Sequence, residues 1–119
     1  MPYVDGFVVP VPKAKVEAYR QMSVRCGEIW REHGALEFRE CVADDVKPGK
    51  LTSFPQSVDL KEDEIVAFSW IVYESRAKRD EVNDKVMKDS RMADMMKPEN
   101  LPFDGKRMIF GGFEMIVDM

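Results

Sequence analysis

Ile65-Val66-Ala67-Phe68-Ser69-Trp70-Ile71-Val72-Tyr73 decides the fold of this 119-residue chain. The stretch is apolar on both parities, Val66, Phe68, Trp70 and Val72 alternating with Ile65, Ala67, Ile71 and Tyr73. A strand with one wet face shows a polar residue at every second position, whereas this one reads as central and covered on two sides. One layer of helices covers one face. The other face needs a second sheet, and in so short a chain that means a second copy, so a homodimer is expected.

Before that strand lie three elements. Tyr3 to Val9 is β-branched and aromatic and reaches Pro10 and Pro12, which read as strand then turn. From Lys13 the period changes: Val16, Tyr19, Met22, Cys26, Ile29, Trp30 and His33 fall within an arc of about 140° at helical spacing, and Gly34 caps the end. Leu36 to Ala43 sets Leu36, Phe38 and Val42 against Glu37 and Arg39, a half-exposed strand at a sheet edge. After the central strand, Ser75 caps a helix over Arg76 to Lys88, and Ser90 caps a further turn bearing Met92, Met95 and Met96. Asp104-Gly105 then turns into a last strand, Arg107 to Val117, where Gly111-Gly112 reads as a bulge or close contact. The order βαββαβ, with right-handed crossovers, predicts one α+β domain over residues 1–119. Its fold is the ferredoxin-like sandwich, an antiparallel sheet in the order 4-1-3-2.

The connection over residues 44–64 is too long for a hairpin. It carries Leu51, Phe54 and Leu60, so it is expected to pack on something as an arm or lid. Charge argues against nucleic acid as a partner: 22 acidic and 18 basic side chains leave a net charge of −4. The small basic clusters at Arg76, Lys78 and Arg79 and at Lys106 and Arg107 read as solvated surface. Cys26 and Cys41 read as buried small hydrophobes in a reducing compartment. No leader and no membrane-spanning run is visible, so a soluble cytoplasmic protein is expected.

Four strings occur together: Tyr3-Val4-Asp5-Gly6-Phe7-Val8, Trp30-Arg31-Glu32-His33-Gly34-Ala35, Arg39-Glu40-Cys41-Val42-Ala43-Asp44-Asp45 and Phe103-Asp104-Gly105-Lys106-Arg107-Met108. With them the chain resembles, almost end to end, the YbaA-like family of bacterial proteins of unknown function. The resemblance implies the dimeric alpha-beta barrel superfamily, in which two ferredoxin-like subunits pair their sheets. Its members include cofactor-free oxygenases acting on polycyclic phenols, haem-degrading enzymes and lactone isomerases, and fold alone does not choose among them.

His33, the lone histidine, is a candidate catalytic group; the bland alternative is a ring packed on the core and bonded to a backbone carbonyl. Asp5 is the second candidate, because a carboxylate inside a central strand is costly unless paired. Small residues at Gly6, Ala67 and Ser69 suggest close helix approach, which assigns Val4, Gly6 and Val8 to the helix side. Tyr3, Asp5 and Phe7, with Phe68 and Trp70, then face the partner sheet and line an aromatic cavity with one carboxylate. Trp30, Arg39 and Phe54 complete the candidate substrate-binding set. The bland alternative for Asp5 is an ion pair with Arg39 or Arg107. No metal-ligand spacing, phosphate loop or nucleophile elbow is present, and no cofactor is expected. Two function classes fit. One is a cofactor-independent oxygenase or isomerase acting on a small, partly aromatic substrate held between subunits; the other is a non-catalytic ligand-binding or protein-interaction module.

Overall fold

The structure is a computed structural model and describes residues 1–119. Its elements are β1 (Tyr3–Pro12), α1 (Val16–His33), β2 (Glu37–Val42), α2 (Phe54–Ser57), β3 (Glu64–Tyr73), α3 (Arg76–Lys88), α4 (Ser90–Met95) and β4 (Ile109–Glu114). The four strands form one antiparallel sheet in the order β2-β3-β1-β4, which read from the other edge is 4-1-3-2. This is an α+β fold of ferredoxin-like type. α1, α3 and α4 lie on one side of the sheet and only the short α2 touches the other, which gives a slab of 38 × 36 × 20 Å.

Element ends follow local chemistry. Gly34 closes α1 with φ at 120°, a conformation that a side chain would strain, and its N–H bonds the Arg31 carbonyl. Ser75 caps α3 by accepting from the Lys78 N–H. Asp89, rather than Ser90, caps α4. β1 does not turn at Pro10 but runs on to Pro12, and the register explains why. Val66 and Val72 turn their carbonyls toward β2 and its flanks, so the residues opposite them on β1 point their backbone groups away from β3. Pro10, opposite Val66, therefore lacks an N–H only on the β4 side, where pairing has already ended at Val8.

The helix-side core gathers Ile71 and Tyr73 with Cys26, Ile29, Val82, Val86 and Met92. A second cluster sets Val9, Val11 and Ala67 against Tyr19. Met95 packs on this core, whereas Met96 is exposed.

Register overturns the face assignment made from residue size. Asp5 stands opposite Ile71 and Tyr3 opposite Tyr73, so Tyr3, Asp5 and Phe7 face the helices. Val4, Gly6 and Val8 share the other face with Phe68 and Trp70. Gly6 is small for a different reason: the Phe113 ring lies over it and over Gly111, at 3.8 and 3.7 Å from where a Cβ would stand. Gly112, on the helix side, is the close contact expected of this pair, because a Cβ there would run into the Tyr3 hydroxyl and the Arg79 guanidinium.

The 44–64 connection is anchored, through Leu60 and Phe54 as expected and chiefly through Val58, whereas Leu51 packs on nothing. Val58, 2% exposed, seats on Val8 and Val66 with Leu60 beside it, and covers one end of the otherwise open face. Leu51 is exposed and Phe54 half-exposed. Cys41 is also exposed; only Cys26 is buried, because the residues paired across β2 and β3 put Cys41 on the open face with Phe68.

Candidate functional site

The structure presents three places, two of which hold most of the sequence candidates, with His33 apart from all of them. The first is a polar chain buried beneath the helices. Asp5, 6% exposed, accepts hydrogen bonds from Arg79 Nε at 3.0 and 3.2 Å and from the Tyr73 hydroxyl at 3.0 Å, and Arg79 Nη2 completes the ion pair at 3.0 Å. Asn83 Nδ2 reaches it at 3.4 Å, while Trp30 Nε1 donates to Asn83 Oδ1 at 3.0 Å. Arg79 also lies 5.2 Å from the centre of the Tyr3 ring. The guanidinium beside Asp5 is held more firmly charged, and burial pushes the Tyr73 phenol well above its ordinary range. The counter-ion of Asp5 is thus Arg79, from a cluster read as solvated. Neither Arg39 nor Arg107 fills that role: Arg39 is exposed on β2, and Arg107 pairs with the buried Glu64, holding its carboxyl low. Every oxygen of Asp5 is engaged, which is the arrangement of an ion pair tying α3 to β1.

The second place is the open sheet face. Phe54 meets Phe68 edge-on at 5.8 Å, Phe68 lies 5.8 Å from Trp70, and Val4, Val8, Ile109 and Phe113 continue the apolar surface. All of these but Phe54 bound a hollow of about 450 Å³. Phe7, from the helix side, stacks at 6.2 Å on the edge residue Phe110. His33 stands apart at the end of α1. Its Nε2 meets Asp89 Oδ2 at 2.9 Å, a carboxylate and not the backbone carbonyl expected. Arg91 bonds the same carboxylate and, followed by His33, holds it well below the usual range.

The third place was missed. Between α1 and the edge strand β2 runs a groove of about 620 Å³ with Glu40 on its floor. Tyr19 Oη donates to Glu40 Oε2 at 2.7 Å and Ser23 Oγ to Oε1 at 3.1 Å. Burial pushes the Glu40 carboxyl up, partly offset by these hydroxyls and that of Ser69. The signal was strand parity. Glu40 shares its parity with Phe38, whose ring lies against Gly27 of α1, so both point inward. No group of three or more His, Cys, Asp or Glu side chains is arranged to hold a metal ion.

Comparison with known proteins places the chain without assigning it a reaction. Residues 2–105 match the family described as "Protein of unknown function (DUF1428)". The chain is 52% identical over 118 residues to "Uncharacterized protein YbaA" of Escherichia coli K12, covering 99% of each. The same identity and coverage hold for the proteins so named in E. coli O157:H7 and Shigella flexneri. On both grounds, this chain belongs to the DUF1428 family, whose function is unknown.

Proposed function

We propose that the protein works as a homodimer joined through the open face of its sheet, and that the apolar space there binds a compact small molecule. One observation carries the reading: the face away from the helices is apolar and uncovered, with Phe68 41%, Ile109 44% and Phe113 61% exposed. Four strands at ~4.8 Å spacing, the central pair ~33 Å long, present roughly 500 Å². A copy of the same face would bury about 1,000 Å² in total, the lower bound for a specific interface. The self-matching partner is favoured because a two-fold pairing sets apolar against apolar without any further protein.

Binding without turnover is the better-supported form. Of the ionisable side chains on that face, Glu37 and Arg39 stand 3.9 Å apart at the β2 edge, Cys41 lies beside them, Glu64 is paired with Arg107, and Asp5 is on the other side of the sheet. An oxygenase or isomerase acting between subunits would need a titratable group within reach of its substrate.

Light scattering on eluting protein tests the pairing, with twice the chain mass of 13.7 kDa expected and Phe113→Asp shifting it to one. Titration with 1-naphthol should quench Trp70 emission saturably in the wild type and not in Trp70→Phe. A wild-type monomer at tens of micromolar, or quenching that neither saturates nor depends on Trp70, would refute the proposal.

A further inference from the structure

The carboxylates of this fold that are buried (Asp5, Glu64) or half-buried (Asp89, Glu40) and lie between elements follow a rule with one exception. Asp5 has Arg79, Glu64 has Arg107, and Asp89 has His33 and Arg91. Glu40 has no cation within ion-pair distance and is held by hydroxyl groups alone, from Tyr19, Ser23 and Ser69. A desolvated carboxylate gains most from an opposite charge, and in a low-dielectric floor that gain is larger than at the surface. This carboxylate also lies open to a groove.

The groove has a definite polarity. Val16, Val24, Phe38 and Val42 supply apolar walls, while Arg20, Arg31 and Arg39 are exposed at its rim. Its floor is negative, and its rim sets the three arginines beside Glu28, with Arg20 also paired to Glu17 at 2.7 Å and Arg39 3.9 Å from Glu37. The floor is also held in place: Tyr19 is 5% exposed and packs edge-on against Phe103 at 5.6 Å, and Gly27 lets the Phe38 ring lie directly on α1. Groups ordered before the ligand arrives lose little entropy on binding.

We infer that the groove between α1 and β2 is a binding site for a small zwitterion, its ammonium group on Glu40, its apolar body between Val24 and Phe38, and its anionic end at the rim arginines. The hydroxyls of Tyr19 and Ser23 orient the carboxylate without neutralising it, which leaves the pairing charge to the ligand. A plain amine meets the floor but is repelled by the rim. A plain carboxylate meets the rim but is repelled by the floor. The site is separate from the sheet-face hollow and stands independently of the reading proposed for it.

Three probes of one shape test this: 4-(aminomethyl)benzoate, benzylamine and benzoate, titrated by calorimetry with amide shifts followed by NMR. The zwitterion should bind most tightly and move the Ser23, Gly27 and Glu40 amides and not those of Phe68 or Phe113. Glu40→Gln should weaken the zwitterion about tenfold and strengthen benzoate, because it removes the charge that repels a carboxylate from the floor. Binding should strengthen as pH rises through the raised pKa of Glu40. Of the other groups facing it, Cys26 is pushed up to about 11 and Tyr19 higher still, while Glu28, Arg20, Arg31 and Arg39 line the same groove. Shifts absent at millimolar ligand, benzoate binding as well as the zwitterion, or unchanged affinity in folded Glu40→Gln would each overturn the assignment.

Discussion

Removing the Asp5 carboxylate tests whether it is a structural ion pair. Asp5→Ala deletes an acceptor that is 6% exposed and strands the Arg79 guanidinium and the Tyr73 hydroxyl, both of which donate to it. Breaking a buried pair from one side costs ~3–5 kcal/mol. The Arg79 side chain is 22% exposed, so water reaches its outer nitrogens and the lower end, about 3 kcal/mol, applies. With a urea dependence of roughly 1.5–2 kcal/mol per molar for a domain of this size, the unfolding midpoint should fall by about 1.5–2 M. Arg79→Met should cost a similar amount. The double variant should cost less than the sum by at least ~1.5 kcal/mol, because the second change removes the charge that the first left unpaired. Chemical denaturation at one fixed protein concentration measures all four states, since self-association would otherwise shift the midpoints. Additive effects, each below ~1 kcal/mol, would refute the argument.

Gly111 and Gly112 should respond very differently to the same change. Gly112→Ala meets the Tyr3 hydroxyl and should destabilise by ~1–3 kcal/mol, whereas Gly111→Ala makes only ordinary contact with Phe113 and should stay within ~0.5 kcal/mol; thermal melts separate them. Acid should unfold the protein through carboxylates whose pKa values are lowered in the fold. Asp89, held down chiefly by Arg91, and Glu64, held down by Arg107, contribute stability present above their unfolded pKa of about 4 and lost as pH falls through their folded values. Arg91→Gln should flatten that decline in a melt series from pH 5 to pH 2. Glu40 carries the opposite sign. Its raised pKa makes its contribution largest at low pH and lost as pH rises through the folded value, so Glu40→Gln should raise the melting temperature at pH 8 relative to wild type and not at pH 4.

Strand order was legible because apolarity is a property of whole strands, and β1 and β3 differ from β2 along their full length. Which face each residue takes was not, because register is set by pairing between distant segments, and a slip of one residue exchanges the faces. Tyr3, Asp5 and Phe7 were placed with Phe68 and Trp70 on a size argument, which the pairing of Asp5 with Ile71 reverses. Gly6 misled by accommodating Phe113 instead of a helix. Arg79 and Arg107 sit in charge-rich segments that read as solvated, and only tertiary structure sets them against Asp5 and Glu64. Glu40 could have been found. It alternates in phase with Phe38, but a glutamate in an edge strand reads by default as facing water.

The polar chain beneath the helices also bears on how the protein is made. Its hydrogen bonds to Asp5 come from residues 68, 74 and 78 positions further along the chain. β1 pairs with β3 and β4 and never with β2, so the first two strands to leave a ribosome have no ladder to form with one another. Until β3 and α3 have emerged, Asp5 has none of these partners and the apolar stripe of α1 has no sheet to rest on. The first half of the chain is therefore not a folding unit, and the domain forms in one late, cooperative step governed by long-range contacts.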